Sequence, residues 1–296
     1  MHKRCLLFTL AVIVSAASPS FAWWEDGHII VAKIAEKHLS KEAQTGIREL
    51  LDGPEGERAI SDSRMCNWAD LIRGSGQLNR KYPKNDTWHY INIELQQKRD
   101  DSWKADEKGN DVIGAIERFK KVLADTKADK QDRKEALLFL VHFVGDMHQP
   151  LHTGNREDDR GGNQQPIESI IVNGKAAKDN FGKPHNLHKV WDGHLVDAIR
   201  GGLTVNDFAT RLNDEMTDDE RDAWKKGTVT DWVWDSHQIT LDRVYKFTDG
   251  TDLPARDKPA AALTEENYMK ANEKFVRPQL KKGGIRLATV LNECFK

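Results

Sequence analysis

Apolar residues recur at intervals of three and four positions along most of this chain, which is the spacing of one buried face of an α-helix. Between residues 27 and 39 the pattern falls on Ile30, Val31 and Ile34. The same spacing predicts further helices over residues 41–51, 112–123, 132–146, 208–212, 231–245 and 265–294. Asp132 is predicted to cap its helix, because a glutamate follows three positions later. The pattern indicates a mainly α-helical protein.

Residues 165–172 break this pattern, because they are rich in β-branched side chains. The next two residues, Asn173 and Gly174, form a turn signal typical of β-hairpins. We therefore expect a small β-hairpin near residues 165–177, emerging from the helices. The chain has no internal repeat and no low-complexity tract, and its length suits one domain over residues 23–296.

The first 22 residues have the pattern of a cleaved signal peptide. Lys3 and Arg4 precede the apolar residues 6–14, and a small-x-small cleavage signal follows. The apolar run is too short to cross a membrane, and no later stretch reaches the roughly 18 residues that a span needs. We therefore expect a soluble protein, secreted or periplasmic, that begins at Trp23 and has no stable membrane association.

The charge balance excludes one common way of holding nucleic acid. The chain has a net charge of −2, and loss of the two basic leader residues makes it −4. Proteins that bind nucleic acid by neutralising phosphates usually present a basic surface. Any phosphate affinity must therefore have another source, and bound metal ions would supply positive charge locally.

Two cysteines remain after the leader is removed, Cys66 and Cys294. In an oxidising compartment they can pair and tie the C-terminal helix to the front half of the chain. The alternative is two buried free thiols, and sequence alone does not establish the pairing.

Candidate chemistry is concentrated between His142 and His152, at the end of a predicted helix. His142 and Asp146 are four positions apart, so their side chains project from the same helical face. Pro150 ends the helix, and His152 follows on the turn beyond it. This segment predicts a ligand cluster.

A second pair with the same spacing, His188 and Asp192, occurs further along. Two such pairs predict metal ligation, with zinc preferred because it takes imidazole and carboxylate ligands. Individually weaker candidates precede them, and their weight comes from the set: the terminal amine of Trp23, His28, Asp70 with Arg73, and His89.

Several motifs occur in the order found in one known family. The leader ends before a tryptophan. The motifs that follow are Trp-Ala-Asp-x-x-Arg (68–73), Trp-His-Tyr (88–90), the motif of residues 142–152, Gly-Gly-Asn (161–163) and Asn-Leu-His-Lys-Val-Trp-Asp (186–192). In these motifs the chain resembles the zinc-dependent single-strand-specific nucleases with 3′-nucleotidase activity, the type I nucleases of fungi, plants and bacteria. The resemblance runs from Trp23 to the segment around Ile285. It implies the mainly helical fold that these nucleases share with phospholipase C.

The resemblance implies three zinc ions in each chain. One would be held by the amine and carbonyl of Trp23 with His28 and Asp146, the second by Asp70, His89, His142 and the bridging Asp146, and the third by His152, His188, Asp192 and water.

The resemblance also implies the reaction and its substrates, which are single-stranded RNA, single-stranded DNA and 3′-nucleotides, with no protein partner. A zinc-bound hydroxide would attack phosphorus, Asp70 would orient the water, and Arg73 would neutralise charge on the phosphoryl oxygens. The products would carry 5′-phosphates. Tyr90, Asn92 and Asn163 match base-binding positions, but Asn92 stands where the family often has an acidic residue, so base preference is left open.

Two other functions fit part of the sequence. A zinc-dependent phospholipase C shares the fold, the N-terminal tryptophan and the ligand types, but it closes its third site with a glutamate after a shorter interval. Here His188 follows His152 by 36 positions, and the last ligand candidate is Asp192. A non-catalytic zinc-binding protein is the second alternative, and the presence of Asp70 with Arg73 argues against it.

Overall fold

The computed structural model describes residues 23–51, 59–73, 76–100, 102–172, 174–177, 185–256 and 258–296. The predicted signal peptide and the turn residue Asn173 lie outside these ranges. The helices are α1 Glu25–Glu36, α2 Lys41–Leu51, α3 Ser63–Cys66, α4 Trp68–Leu71, α5 Gly76–Lys81, α6 Val112–Ala124, α7 Lys130–Asp146, α8 Leu187–Lys189, α9 Leu195–Arg200, α10 Val205–Asp214, α11 Asp218–Trp224, α12 Val229–Ile239 and α13 Lys270–Cys294.

Shorter elements connect these helices. Turns of 3-10 helix lie at Asn85–Thr87 and Pro150–His152, and π-helical turns lie at Val190–His194, Thr240–Val244 and Glu265–Met269. The strands are β1 Ile93–Glu94, β2 Gly154–Asn155, β3 Ile171–Val172 and β4 Lys175–Ala176. The mainly α-helical fold expected from the sequence is confirmed.

Helix α7 runs through the core, and every residue from Glu135 to Asp146 is buried. Its apolar side chains pack against α6, where the rings of Phe139 and Phe119 stack with centroids 4.3 Å apart. A helix buried on all sides places its last turn in the interior, away from bulk water. The polar residues at that end, His142 and Asp146, therefore depend on one another and on neighbouring elements for partners.

Helices α1 and α13 pack against each other and against α7. Their close approach depends on Gly284, because a Cβ atom there would lie 2.3 Å from Cγ2 of Ile34. Any side chain at this position would push the two helices apart. The packing carries the N-terminal part of α1 to the end of α7 where the candidate ligands lie.

The structure confirms the β-hairpin and corrects one helix start. Strands β3 and β4 pair antiparallel, with Val172 opposite Lys175. Helix α7 begins at Lys130 and is capped by Asp129, whose carboxylate accepts a hydrogen bond from the backbone N–H of Gln131. The prediction that Asp132 caps this helix was wrong, because that carboxylate instead accepts a hydrogen bond from Lys81.

The sequence left two alternatives open for Cys66 and Cys294, and the structure has the second, since both cysteines are buried free thiols. The sulfur of Cys66 lies 3.7 Å from the carbonyl oxygen of Ser63, whereas that of Cys294 lies 3.7 Å from the carbonyl oxygen of Lys120. Each thiol thus faces a different element. Burial raises the pKa of Cys66 to about 12 and that of Cys294 to about 11, so both thiols are protonated at neutral pH.

None of the helices in the described parts of the chain is long and apolar enough to cross a lipid bilayer.

Candidate metal centre

The last turn of α7 supplies the centre of the site. His142 and Asp146 project from one face, as their spacing predicts, and the distance from His142 Nε2 to Asp146 Oδ1 is 3.4 Å. Asp70, from α4, approaches the same imidazole, with its Oδ2 atom 3.4 Å from His142 Nε2. Two buried carboxylates thus share one imidazole.

His89 and His28 complete this part of the site from two other directions. His89 follows the 3-10 turn at Asn85–Thr87, and its Nδ1 atom lies 2.9 Å from Asp146 Oδ2 and 3.6 Å from Asp70 Oδ1. His28 comes from the buried face of α1, and its Nε2 atom lies 3.2 Å from Asp146 Oδ1. The His28 and His142 rings stack with centroids 4.0 Å apart. Elements far apart in sequence therefore meet at Asp146.

A neighbouring cluster contains the remaining predicted ligands. His152 lies on the 3-10 turn after α7, whereas His188 and Asp192 lie on α8 and the π-helical turn that continues it. The Nε2 atoms of His152 and His188 are 3.1 Å apart. Asp192 Oδ2 lies 3.4 Å from His188 Nε2, and Asp192 Oδ1 lies 4.0 Å from His152 Nε2.

The donor atoms form three groups, and within each group they lie within 4.8 Å of one another. The groups are His28 with Asp70 and His142, His89 with His142 and Asp146, and His152 with His188 and Asp192. The third group has the membership expected from the sequence. The first two share ligands more extensively than expected, since His28 is close to Asp70 as well as to Asp146.

Backbone carbonyls fix the orientation of three imidazoles. His142 Nδ1 is 2.8 Å from the carbonyl oxygen of Cys66, and His152 Nδ1 is 2.7 Å from that of His89. His188 Nδ1 is 2.6 Å from the carbonyl oxygen of Gly161. An Nδ1–H group that donates to a carbonyl leaves Nε2 unprotonated and directed into the cluster, the tautomer that ligates a metal ion.

Burial keeps these imidazoles neutral. It lowers the pKa values of His28, His89, His142, His152 and His188, and that of His188 falls to about 4. Burial also raises the pKa of Asp146, as does the negative charge of Asp70. The pKa of Asp192 is raised chiefly by burial. A bound cation would reverse the effect on both carboxyl groups by favouring their charged forms.

The donor set fits divalent metal ions such as zinc. His28 Nδ1, His28 Nε2, His142 Nε2 and Asp146 Oδ1 are buried and have no hydrogen-bond partner among the residues described. Burying such atoms without a partner is costly, and metal coordination would satisfy His142 Nε2, Asp146 Oδ1 and one of the two His28 nitrogens. Imidazole nitrogens with carboxylate oxygens are ligands that zinc prefers.

Arg73 lies at the edge of the site, one turn beyond Asp70. Its guanidinium donates to Asp70 Oδ1 at 3.2 Å and to Asp86 Oδ1 at 3.0 Å. Only 10% of its side chain is exposed, against 66% for Asp86. Arg73 therefore presents a fixed positive charge next to a candidate metal ligand.

The remaining predicted residues surround this centre. The Trp23 side chain is fully buried, and its indole N–H donates to the carbonyl oxygen of Gly145 at 3.0 Å. Tyr90 and Asn92 line one cavity beside the site. Asn163 follows the two glycines whose loop contacts His188, and its amide donates to the carbonyl oxygen of Arg160 at 2.9 Å.

Two supporting side chains were missed in the sequence. Gln149 donates to Asp192 Oδ1 at 2.6 Å, and its own carbonyl oxygen accepts from the backbone N–H of Leu151 at 2.6 Å. Asn85 places its side-chain oxygen 3.3 Å from His89 Nε2. Gln149 lies within the 142–152 motif, so its position was a signal, whereas nothing in the sequence marked Asn85 as a partner of His89.

The fold and the site together define a mainly helical protein with a buried histidine–aspartate centre whose donor atoms form three groups. The sequence model of the S1/P1 Nuclease family matches residues 23–296. Endonuclease 2 of Arabidopsis thaliana is 30% identical, over 100% of this chain and 98% of the relative. Nuclease P1 of Penicillium citrinum is 26% identical over 92% and 97% of the two chains, and nuclease S1 of Aspergillus oryzae is 24% identical over 97% and 96%. This chain belongs to the S1/P1 nuclease family, and is thus an enzyme of the phosphodiesterase class.

Proposed function

We propose that this protein is an exported, zinc-dependent endonuclease that hydrolyses single-stranded RNA and DNA to products with 5′-phosphates, and that it also removes 3′-phosphates from nucleotides. The observation that carries the proposal is the convergence of three histidine–aspartate groups beside a buried arginine. The relatives named as nucleases support the same substrate class.

Three zinc ions would be held by the predicted ligands. His28, Asp146 and the main-chain amine and carbonyl of Trp23 would bind the first ion. Asp70, His89, His142 and Asp146 would bind the second, and His152, His188 and Asp192 the third. When bound, zinc acts as a Lewis acid and lowers the pKa of a coordinated water molecule toward neutrality.

The protein's own residues supply orientation and charge. Asp70 has one oxygen toward His142 and the other toward Arg73, so it can orient the attacking water. The Arg73 guanidinium, held by Asp70 and Asp86, would donate hydrogen bonds to the phosphoryl oxygens as negative charge develops on them. Because the Arg73 guanidinium is held in place before substrate binds, little rearrangement of the side chain is needed during the reaction.

We also propose that residues 1–22 form a cleaved leader and that residues 23–296 form one catalytic domain. Cleavage before Trp23 would create the amine that ligates the first zinc ion. Export and assembly of the site would then be coupled.

The test uses protein exported by a secretion-competent host, so that Trp23 is terminal. Its activity on single-stranded RNA, single-stranded DNA, matched duplex and phosphatidylcholine micelles is measured with chelator and after zinc is restored. We expect zinc-restored cleavage of single strands to 5′-mononucleotides, well ahead of duplex and lipid. Predominant lipid cleavage would instead identify a phospholipase C, and zinc binding without hydrolysis would identify a binding protein.

Variants test the assigned roles. Arg73→Ala should lower kcat on single-stranded DNA by about 10²–10³-fold with zinc content unchanged, because a transition-state donor is lost. Asp86→Asn, which changes the exposed partner of Arg73, is the matched control and should retain most activity. Unchanged activity of Asp70→Asn with zinc retained would overturn the role given to Asp70.

A further inference from the structure

Helix α1 begins with a residue that is unusual for its position. Trp24 is the N-cap of α1, and its side chain makes no capping hydrogen bond. Serine, threonine, aspartate and asparagine are usual at an N-cap, because a short polar side chain accepts from the free N–H groups of the first turn. Helix capping therefore does not account for this side chain, whereas its tertiary contacts do.

The half-buried ring of Trp24 lies on the π-helical turn Val190–His194, which contains Asp192. A Cβ atom on Gly193 would lie 1.9 Å from Cε3 of Trp24, so the ring rests directly on the glycine backbone. The ring also meets that of His194 edge-to-face, with centroids 4.7 Å apart. Only glycine leaves room for this contact, because any other side chain at position 193 would occupy the place of the ring.

The main chain of Trp24 connects two of the donor groups. Its N–H donates to the carbonyl oxygen of Asp192 at 2.8 Å, and its carbonyl oxygen accepts from the N–H of Gly27 at 2.8 Å. Asp192 belongs to the third donor group, and His28, which follows Gly27, belongs to the first. Trp24 is thus fixed between the two groups by main-chain hydrogen bonds as well as by its ring.

Trp23, the residue before Trp24, is held by contacts of its own. Its indole N–H donates to the carbonyl oxygen of Gly145 at 3.0 Å, and its Cβ atom lies 2.6 Å from where a Cβ of Gly27 would be. These contacts fix the Trp23 side chain. The direction of its main chain depends also on the residue to which it is joined, which is Trp24.

We propose that Trp24 is a positioning residue: it docks the N-terminal segment on the turn that contains Asp192, and so directs the main-chain amine of Trp23 toward the first donor group. This inference rests on the proposed function, in which that amine is a zinc ligand. The first zinc ion is then held in part by a ring contact with the element that supplies a ligand to the third. Residues that orient a ligand without touching the metal commonly change metal affinity by about 10–100-fold.

The experiment measures how well zinc protects the terminal amine of the exported protein from an acylating reagent. An amine that ligates zinc has no free lone pair, whereas a free terminal amine has a pKa of about 7.7–8.0 and reacts ahead of lysines near pH 7. The protein is brought to a series of buffered free zinc concentrations and labelled briefly, and the N-terminal peptide is quantified by mass spectrometry. The readout is the free zinc concentration at which half of the amine is protected.

In Trp24→Ala this half-protection concentration should rise about 10–100-fold, because the main chain of Trp23 loses its support. Trp24→Phe should restore most of the protection, since a smaller aromatic ring can still rest on Gly193. Asp26→Asn is the matched control: it weakens an ion pair with Arg200, 3.3 Å away, in the same segment, and its half-protection concentration should equal that of the wild type.

Gly193 tests the same contact from the opposite side. Gly193→Ala puts a methyl group where the ring lies, so it should raise the half-protection concentration as Trp24→Ala does. This variant keeps Trp24, and it tests the inference even if Trp24→Ala fails to fold. The double variant should be no worse than Trp24→Ala alone, because the methyl group then enters space that the ring has left.

Three results would overturn the inference. Trp24→Ala and Gly193→Ala could both match the wild type, their effects could add in full in the double variant, or Trp24→Ala could lower only the melting temperature of the zinc-free protein. Cleavage of single-stranded DNA by the same wild-type sample tests the nuclease function separately. If zinc does not protect the wild-type amine, the ligand role of Trp23 fails and this inference fails with it. If zinc protects the amine equally in every variant, only the role of Trp24 fails.

Discussion

Gln149 shows how one side chain outside the ligand set can control a metal group. Its amide holds Asp192 through one hydrogen bond and its carbonyl oxygen is held by the backbone of Leu151. Both ends of the side chain are therefore fixed, and Gln149 is fully buried. Such second partners set the direction of the ligand oxygen and strengthen metal binding.

Replacing Gln149 should selectively weaken the binding of one zinc ion. In Gln149→Ala we expect the affinity of the third zinc group to fall by about 10–100-fold, because Asp192 loses its orienting donor. Competitive titration with a chromophoric chelator measures this affinity. The exposed Gln97→Ala is the control, and a Gln149→Ala titration curve that superimposes on the wild type would contradict the prediction.

Helix α7 is the element on which the site depends, and Gly145 shows how closely the other elements approach it. A Cβ atom at position 145 would lie 2.8 Å from Nδ1 of His28, an imidazole that α1 contributes to the site. Glycine to alanine in an unstrained helix normally stabilises a protein by about 0.4–1 kcal/mol. At this position the methyl group would instead displace a candidate ligand.

We therefore expect Gly145→Ala to lower both the melting temperature and the zinc content of the purified protein. Zinc is measured by atomic emission and unfolding by circular dichroism. Gly283→Ala in α13 is the matched control, because its methyl group would meet the Val31 side chain at 3.2 Å and Cγ of His148 at 3.6 Å, and neither residue is a candidate ligand. Normal zinc content in Gly145→Ala would show that His28 has room to move.

Glu215 follows α10 and joins it to α13 through ion pairs. Its carboxylate lies 2.6 Å from Arg277 and 3.0 Å from Lys281, and these partners lower its pKa from 4.5 to about 2. A lowered pKa in the folded state means that the pair stabilises the protein above about pH 4.5. That contribution is lost as the pH falls through about 2.

Glu215→Gln should lower the free energy of unfolding by about 0.5–1 kcal/mol at pH 6, since a partly exposed pair is screened by solvent. The difference from the wild type should shrink at pH 4 and further at pH 3, as measured by urea unfolding. Asp222→Asn removes a more exposed single pair with Lys225 and should have no measurable effect. A difference that is independent of pH would rule out the ionic explanation.

Local patterns predicted most elements but not their exact limits. The hairpin was predicted because β-branched residues and the Asn-Gly turn act over a few positions. The start of α7 was misplaced because Asp129 and Asp132 are both competent caps, and the contact of Asp132 with Lys81, 51 residues away, decides between them. The parallel pairing of β1 with β2 was missed because each strand has only two residues.

At the scale of the whole molecule, the site joins α1, α4, α7, α8 and the segments between them. Asp70 and Asp146 are both buried, and each lies within 3.6 Å of His89 and 3.4 Å of His142. The negative charges of the two carboxylates therefore repel each other unless a cation is bound. Metal binding and folding are therefore expected to be coupled.

Removal of zinc should lower the melting temperature by about 10 °C. A single ion at 1,000 times its Kd stabilises a protein by about 4 kcal/mol, and in a protein of this size each kcal/mol shifts the melting temperature by about 2–4 °C. The measurement is a thermal scan before chelation, after chelation and after zinc is restored. If chelated protein, shown to be free of zinc, melts at the original temperature, folding and metal binding are independent.

Spacing along one helix could predict the pairs His142–Asp146 and His188–Asp192, since local geometry alone sets them. His28, Asp70 and His89 were weak candidates individually, and the family resemblance was needed to assign them to particular zinc ions, because their meeting depends on helix packing. The sharing of ligands between the first two groups and the role of Gln149 were visible only in three dimensions. The cysteine pairing was left open for the same reason, since a count of thiols contains no distances.

The carbonyl groups that orient the imidazoles have a consequence for evolution. Every amino acid has a main-chain carbonyl, so no substitution at position 66 can delete the acceptor that holds His142. Position 161 is less tolerant, because Gly161 has a φ of 59° and a Cβ atom there would lie 2.3 Å from the carbonyl oxygen of Leu151. A centre oriented by the backbone can keep its geometry while most surrounding side chains drift, which accords with relatives that retain only 24–30% identity along nearly their whole length.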